Sequence, residues 1–270
     1  MSEPIPKISD LRKISQKPLQ FETVAYARYF IRKISIYITW VVVHFPITAN
    51  QVTVAQAVFG LAGSALLAFG GRDWAVLALA LIQFGYILDC VDGEVARYRK
   101  ASSVNGVFLD NLNHVIVIPS IFWGTVLYSY LIHDNIIIII AGIIVSILVA
   151  NPVKKANLNT LFNLKDKGEN PQYDISALQG EKNVTNKQLE KIDKKNKFVL
   201  WAQAIADYPA SMNILAIAIL LDLLWPNQAL IPSLLIYFYT FYLLARESVM
   251  LLITLKTHKI EKKFNRFFGQ

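Results

Sequence analysis

Cysteine is nearly missing from this chain of 270 residues: Cys90 stands alone. An intrachain disulfide is therefore impossible, and so are CxxC pairs and thiolate metal sites. Charged residues are also scarce, 17% against 54% hydrophobic, and mean hydropathy is +0.41. A chain this apolar is no ordinary soluble domain and reads as a polytopic membrane protein. No internal repeat is visible. The opening MSEPIPKISDLRK is polar and lacks the apolar core and small residues of a signal peptide. The charge that is present has a bias, +8 net. Beside so much apolar sequence, that bias points to anionic lipid headgroups and phosphorylated substrates rather than nucleic acid.

A spanning helix needs about 20 mostly apolar residues. Six stretches meet that test: 50–70, 74–97, 106–131, 135–153, 198–225 and 228–255. The expected fold class is an all-α integral membrane protein, with six transmembrane helices and an N-terminal amphipathic surface helix. That surface helix is the segment 21–45, which is apolar but carries Arg28, Arg32 and Lys33. Three charges in one half of a span would cost about 2.5–3.5 kcal/mol each at mid-bilayer. The segment is therefore expected to lie flat, with Arg28 and Arg32, four apart, sharing its headgroup-facing side. A seventh span is the rival reading. The domain plan is then 1–49, a cytoplasmic N-terminus; 50–255, the six-helix domain; and 256–270, a basic tail. The polar segment 154–197 is a cytoplasmic loop, in which Thr185 and Gln188 fit a capping box for a short helix.

With six spans, 26 of the 27 Lys and Arg residues fall on one side and only Arg72 on the other. The positive-inside bias then puts both termini in the cytoplasm. Trp40, Trp74, Trp201 and Trp225 fall near span ends, where indoles favour the interface.

One stretch does not suit an oily helix pair. Residues 88–114 read LDCVDGEVARYRKASSVNGVFLDNLNH. Asp89 and Asp92 are three apart and line one face at the end of the second span. Asp110 and His114 are four apart at the start of the third. A short connection makes the two helices antiparallel, so these faces can meet. Converging carboxylates repel unless a cation joins them, and hard oxygen donors suit Mg2+ or Mn2+, ions that also take phosphate oxygens. Ionisable residues within a span point to function by default. Gly93 and Ala96 are small enough for a ligand to approach the backbone. Arg97 and Arg99 lie where they can neutralise phosphate. The bland alternative, acids merely paired with arginines at the interface, does not account for the spacing.

The pattern Asp89-x2-Asp92-Gly93-x2-Ala96-Arg97-x8-Gly106-x3-Asp110-x3-His114 resembles the signature of the CDP-alcohol phosphotransferases (CDP-alcohol phosphatidyltransferases). That signature is D-x2-D-G-x2-A-R-x8-G-x3-D-x3-D. The start of the first span, TANQVT, also looks like that family's, and the resemblance covers about residues 20–255. It implies an enzyme that displaces CMP from a CDP-linked alcohol with an acceptor alcohol's hydroxyl, at a lipid bilayer and facing the cytoplasm. It further implies two divalent ions held by Asp89, Asp92 and Asp110, with Gly93, Ala96, Arg97 and Gly106 shaping the nucleotide pocket beside Asn50 and Thr53. A CDP-diacylglycerol donor and a soluble acceptor are the default, and a soluble CDP-alcohol passed to a lipid hydroxyl is the alternative. Family members often form homodimers, on which the residues themselves are silent.

His114 departs from the signature, whose last position is an Asp taken as general base and metal ligand. Imidazole can serve in either role, with an unperturbed pKa of about 6.5, though it suits Mg2+ less well than carboxylate does. Three readings stay open. His114 is the base; or Glu94 or water is the base while His114 orients the acceptor; or the enzyme is weakened or non-catalytic. Asp207, Arg246 and Glu247 are further ionisable residues within spans, readable as acceptor or diphosphate contacts, as an Arg246–Asp207 pair, or as snorkelling. Tyr239 and Tyr242 form an aromatic stripe of the kind that packs. Two other function classes remain. An intramembrane prenyltransferase would need a second Asp-rich motif, and none is present. A transporter or scaffold would have no use for this spacing.

Overall fold

The architecture comes from a computed structural model, which describes residues 6–16, 26–150, 208–225 and 229–256. Among these residues every regular element is helical. Helix α1 is Ile8–Ser15. A π-turn over Ala27–Ile31 leads into α2, Arg32–Val43. Then come α3, Ala49–Tyr98; α4, Val104–His133; α5, Ile136–Ala150; α6, Ala210–Leu224; and α7, Leu230–Lys256.

Although 50 residues long, α3 is two limbs. At Gly71 the backbone takes φ 62° and ψ −153°, a region open to glycine and closed to residues with a Cβ. The chain there reverses. Thr53 meets Asp92, Gln56 meets Asp89, and Gly85 lies against Gly60. Each step forward along the first limb thus meets a step back along the second, an antiparallel hairpin. The limbs 49–70 and 72–98 fall where the first two spans are expected. The first limb opens on a full capping box: the Thr48 hydroxyl accepts from Gln51 N at 3.3 Å, and Gln51 Oε1 accepts from Thr48 N at 2.8 Å.

Small residues bring the helices into backbone contact. A Cβ at Gly63 would lie 2.7 Å from the Ala78 carbonyl oxygen, and one at Gly124 would lie 2.7 Å from that of Ser64. Within lipid, where apolar burial does not drive helices together, such close approach is a main source of attraction. Gly63→Ala is therefore expected to destabilise by about 1–3 kcal/mol, the usual penalty of overpacking, seen as a lower melting temperature in detergent. An unchanged melting temperature would show that the limbs are not in this contact.

The core joins Tyr86, Phe122, Leu215, Ile236 and Tyr239 from α3, α4, α6 and α7. Tyr239 packs edge-on against Phe122, in accord with the packing reading of that stripe. The outside is apolar as well: Phe69 is 78% exposed and Phe241 75%. Surfaces this apolar suit lipid better than water. The helices Ala49–Tyr98 and Val104–His133 are long and apolar enough to cross a membrane, while Ile136–Val149 and Ala210–Leu224 are shorter apolar helices.

At the end of the bundle holding the Gly71 turn, one carboxylate ties four segments together. Asp222 is fully buried. It accepts from Tyr128 Oη at 2.7 Å and from Ala229 N at 2.9 Å, and pairs with Arg72 at 3.4 Å. The one cation expected outside the basic face is thus satisfied by a buried acid, a partner that nothing in the periodicity singles out.

The N-terminal helix differs from the expected one. Arg28 and Arg32 do not share a face. The π-turn over Ala27–Ile31 adds a residue to one turn and so rotates α2 relative to the residues before it. Arg28 stays exposed beside the Tyr29 ring, whereas Arg32 points into the bundle, 3.1 Å from Glu94.

Candidate metal centre

The hairpin of α3 sets Asp89 and Asp92 on the second limb, and the start of α4 sets Asp110 and His114 alongside. Ser103 caps α4, its hydroxyl accepting from Gly106 N at 3.0 Å. Gly106 lets this turn sit close to the first limb: a Cβ there would lie 3.3 Å from Asn50 Oδ1. The start of α4 and the capping turn of α3 are thereby drawn to one place.

His114 Nε2 lies 3.2 Å from Asp89 Oδ1 and 3.4 Å from Asp110 Oδ1. One donor atom from each of these three residues lies within 4.8 Å of the others. Ligands at neighbouring positions around a Mg2+ or Mn2+ ion, each about 2.1 Å from it, stand about 3 Å apart. Two carboxylate oxygens and one imidazole nitrogen at these separations therefore fit a divalent cation, and the nitrogen favours Mn2+ over Mg2+.

Asp92 has a different setting. It is 8% exposed, and its Oδ2 accepts from Thr53 Oγ1 at 2.6 Å. Expected as a ligand beside Asp89, it stands next to the three-residue group, anchored to the first limb. Thr53 thus meets the motif directly.

Around the acids the remaining motif residues divide. Arg97 folds over Gly93, where a Cβ would lie 3.2 Å from its guanidinium. Its Nε donates to the Ser15 carbonyl at the end of α1, at 2.6 Å, and its Nη2 is buried without a partner among the described residues. Arg99 donates to the Phe45 carbonyl at 2.6 Å. Ala96 is half-buried, one turn beyond Asp92.

Glu94, one alternative for the base, does not suit that role. It is 0% exposed. Its Oε1 accepts from Gln16 at 2.8 Å, Arg32 at 3.1 Å and Ser35 at 2.6 Å, and its Oε2 from Thr39 at 2.6 Å. A carboxylate so enclosed and so fully engaged has no route to a substrate proton.

Arg246 stands 3.7 Å from Glu247. Asp207, its partner in one of those readings, lies outside the described residues, as do Trp201, Thr185 and Gln188 and the segment 154–197. Two neighbours of the centre escaped the sequence reading. Tyr208 sets its ring edge-on to His114, with centroids 5.4 Å apart; nothing in the sequence signals that a residue so distant returns here. Gln56 donates to Asp89 Oδ1 at 2.8 Å. Its signal was present, as a polar residue one turn after Thr53.

Residues 46–165 match the family model for CDP-alcohol phosphatidyltransferase. The match contains the whole of the carboxylate motif and ends before α6 and α7. A comparison with curated proteins finds no match.

Proposed function

We propose, from the match of residues 46–165 to the CDP-alcohol phosphatidyltransferase family model, that this protein moves a substituted phosphate from a CDP-linked alcohol to an acceptor hydroxyl and releases CMP. The family implies the donor and acceptor classes. CDP-diacylglycerol with a small soluble alcohol is the assignment we favour, since an apolar exterior gives a lipid-linked donor access from the bilayer. The proposal includes six spans with both termini and the centre on the cytoplasmic side, supported by the distribution of Lys and Arg.

The observation that carries this reading is the convergence of Asp89, Asp110 and His114, with one donor atom from each within 4.8 Å of the others. Asp89, Asp92 and Asp110 would hold divalent cations, two in the fuller reading, whose positive charge would stabilise the diphosphate and the departing CMP. The chain's own residues orient and exchange protons. The acceptor oxygen forms a bond to the phosphorus that carries the donor alcohol. The bond from that phosphorus to the bridging oxygen breaks, and CMP leaves with the electron pair. The acceptor's proton passes to His114. Asn50, Gly93, Ala96, Arg97 and Gly106 surround the nucleotide side, small where the ligand approaches and cationic where phosphate lies.

A second role for His114 is favoured by its own geometry. The atom facing both carboxylates is Nε2, and in any one complex that atom either ligates an ion or accepts a proton. Purified protein with Mn2+ or Mg2+, CDP-diacylglycerol or other CDP-alcohols, and a panel of alcohols should liberate CMP. His114→Ala should reduce that rate by about 10²–10⁴-fold, the span of general-base catalysis, and His114→Asp should keep part of it. Retained Mn2+ affinity in the alanine variant assigns the base role, and lost affinity the ligand role. Wild-type turnover by His114→Ala would exclude both. No CMP from folded protein under any combination would sink the transferase reading.

A further inference from the structure

Gln56 is a side chain that neither the fold nor the family motif explains. It lies on the first limb of α3 at 1% exposure. Its Nε2 donates to Asp89 Oδ1 at 2.8 Å, the same oxygen that stands 3.2 Å from His114 Nε2. Its Oε1 is buried with no partner among the described residues. A buried amide that leaves its acceptor unpaired is unfavourable, and an apolar side chain of similar size would pack here without that penalty. Packing therefore does not account for a glutamine at this position.

Its pairing does. The residue one turn earlier, Thr53, donates to Asp92, so two donors one turn apart on the first limb meet two acids one turn apart on the second. The antiparallel hairpin turns one periodicity into the other. Thr53 and Gln56 each fix one motif acid, and Gln56 is the one bonded to a member of the three-residue group.

We propose that Gln56 is a positioning residue for the metal centre: by holding Asp89 Oδ1 it sets the rotamer at which Asp89 meets Asp110 and His114, and so sets cation affinity. This rests on reading those three residues as a divalent-cation centre. Outer-shell partners of metal-binding carboxylates and imidazoles do this work generally, and losing one lowers metal affinity about 10–100-fold.

The test is direct binding of Mn2+ to the full-length protein in detergent, followed by the paramagnetic resonance signal of the free ion. Gln56→Leu should weaken binding about 10- to 100-fold while the melting temperature without ion holds or rises, a combination that a merely structural role does not produce. Gln56→Asn keeps the amide but shortens its reach, so it should weaken binding as well, and it decides the matter if the leucine variant does not fold. Wild-type affinity in a folded variant, or no Mn2+ binding by the wild type, overturns the proposal. CMP release is a separate readout. If the wild type binds Mn2+ and Gln56→Leu loses it while no donor yields CMP, the transferase reading fails and Gln56 stands. If CMP is released and Gln56→Leu binds Mn2+ as the wild type does, the reverse holds.

Discussion

Asp110→Asn is expected to abolish CMP release, lowering it by about 10³-fold or more, without unfolding the protein. The substitution is isosteric, so packing at the start of α4 is kept, and Asp110 is half-buried rather than part of the core. The change removes one anionic oxygen of the pair that faces His114 Nε2, the one at 3.4 Å. An amide oxygen is a much weaker ligand for a hard dication than a carboxylate. Because loss of an outer-shell partner alone costs about 10–100-fold, loss of a ligand should exceed that range. The measurement is CMP release with saturating donor, alongside a melting curve. Asp134→Asn provides the control. Asp134 lies beyond the far end of α4 with φ 50°, a left-handed conformation that Asn accepts readily, and the change should leave CMP release untouched. An Asp110→Asn variant active within about tenfold of wild type would show that the three-residue group is not the reaction centre.

How much of this was legible in the sequence depends on distance along the chain. The helices of the hairpin, its turn near Gly71 and the facing of Asp89 with Asp110 follow from periodicity and from one short connection, and the structure places them accordingly. Side-chain spacing of three and four along a helix is a strong local rule, and with the short connection between α3 and α4 it puts Asp89, Asp110 and His114 in reach of one another. The partners of those residues were a different matter. Gln56 and Thr53 reach the acids because two limbs run antiparallel in one particular register, which small residues at Gly60, Gly63 and Gly85 set and apolar periodicity does not reveal. Glu94 sits between Gly93 and Val95 inside the motif, one of the alternatives to His114 as base. Its real partners lie at the C-terminal cap of α1 and in α2, and no local pattern announces them. The π-turn at Ala27–Ile31 was equally hidden, because a single added residue in one turn leaves composition unchanged while it redirects Arg32.

Glu94→Ala is expected to be the most destabilising single change in the N-terminal half, by about 3–5 kcal/mol, the range seen when one partner of a buried ion pair is removed. Glu94 is fully buried and receives four donors. Gln16 is the residue that caps the C-terminus of α1, and Arg32, Ser35 and Thr39 come from α2. Truncation would leave the Arg32 cation, 15% exposed at its side chain, without its counter-ion and the Ser35 and Thr39 hydroxyls without the carboxylate they donate to, while Gln16 keeps only the Arg32 carbonyl. Some of this is relieved if the cation goes as well. Glu94→Ala with Arg32→Met should recover part of the lost stability, since it removes the uncompensated buried charge. The effect should also reach the centre. Arg97 is held by the Ser15 carbonyl of α1, next to the Gln16 that bonds Glu94 directly, so loosening α1 releases Arg97 from its place over Gly93. Two measurements therefore go together: a fall in melting temperature with faster proteolysis of the N-terminal helices, and a rise in KM for the CDP-linked donor. The double variant separates them, because it removes the unpaired cation beside α2 without restoring the Glu94 oxygen that Gln16 donates to. If it regains stability but not donor affinity, α1 acts on the nucleotide side through Glu94 as well as bracing the fold. If Glu94→Ala melts like wild type, the four hydrogen bonds do not hold the N-terminal helices to the motif, and their placement must come from apolar contacts alone.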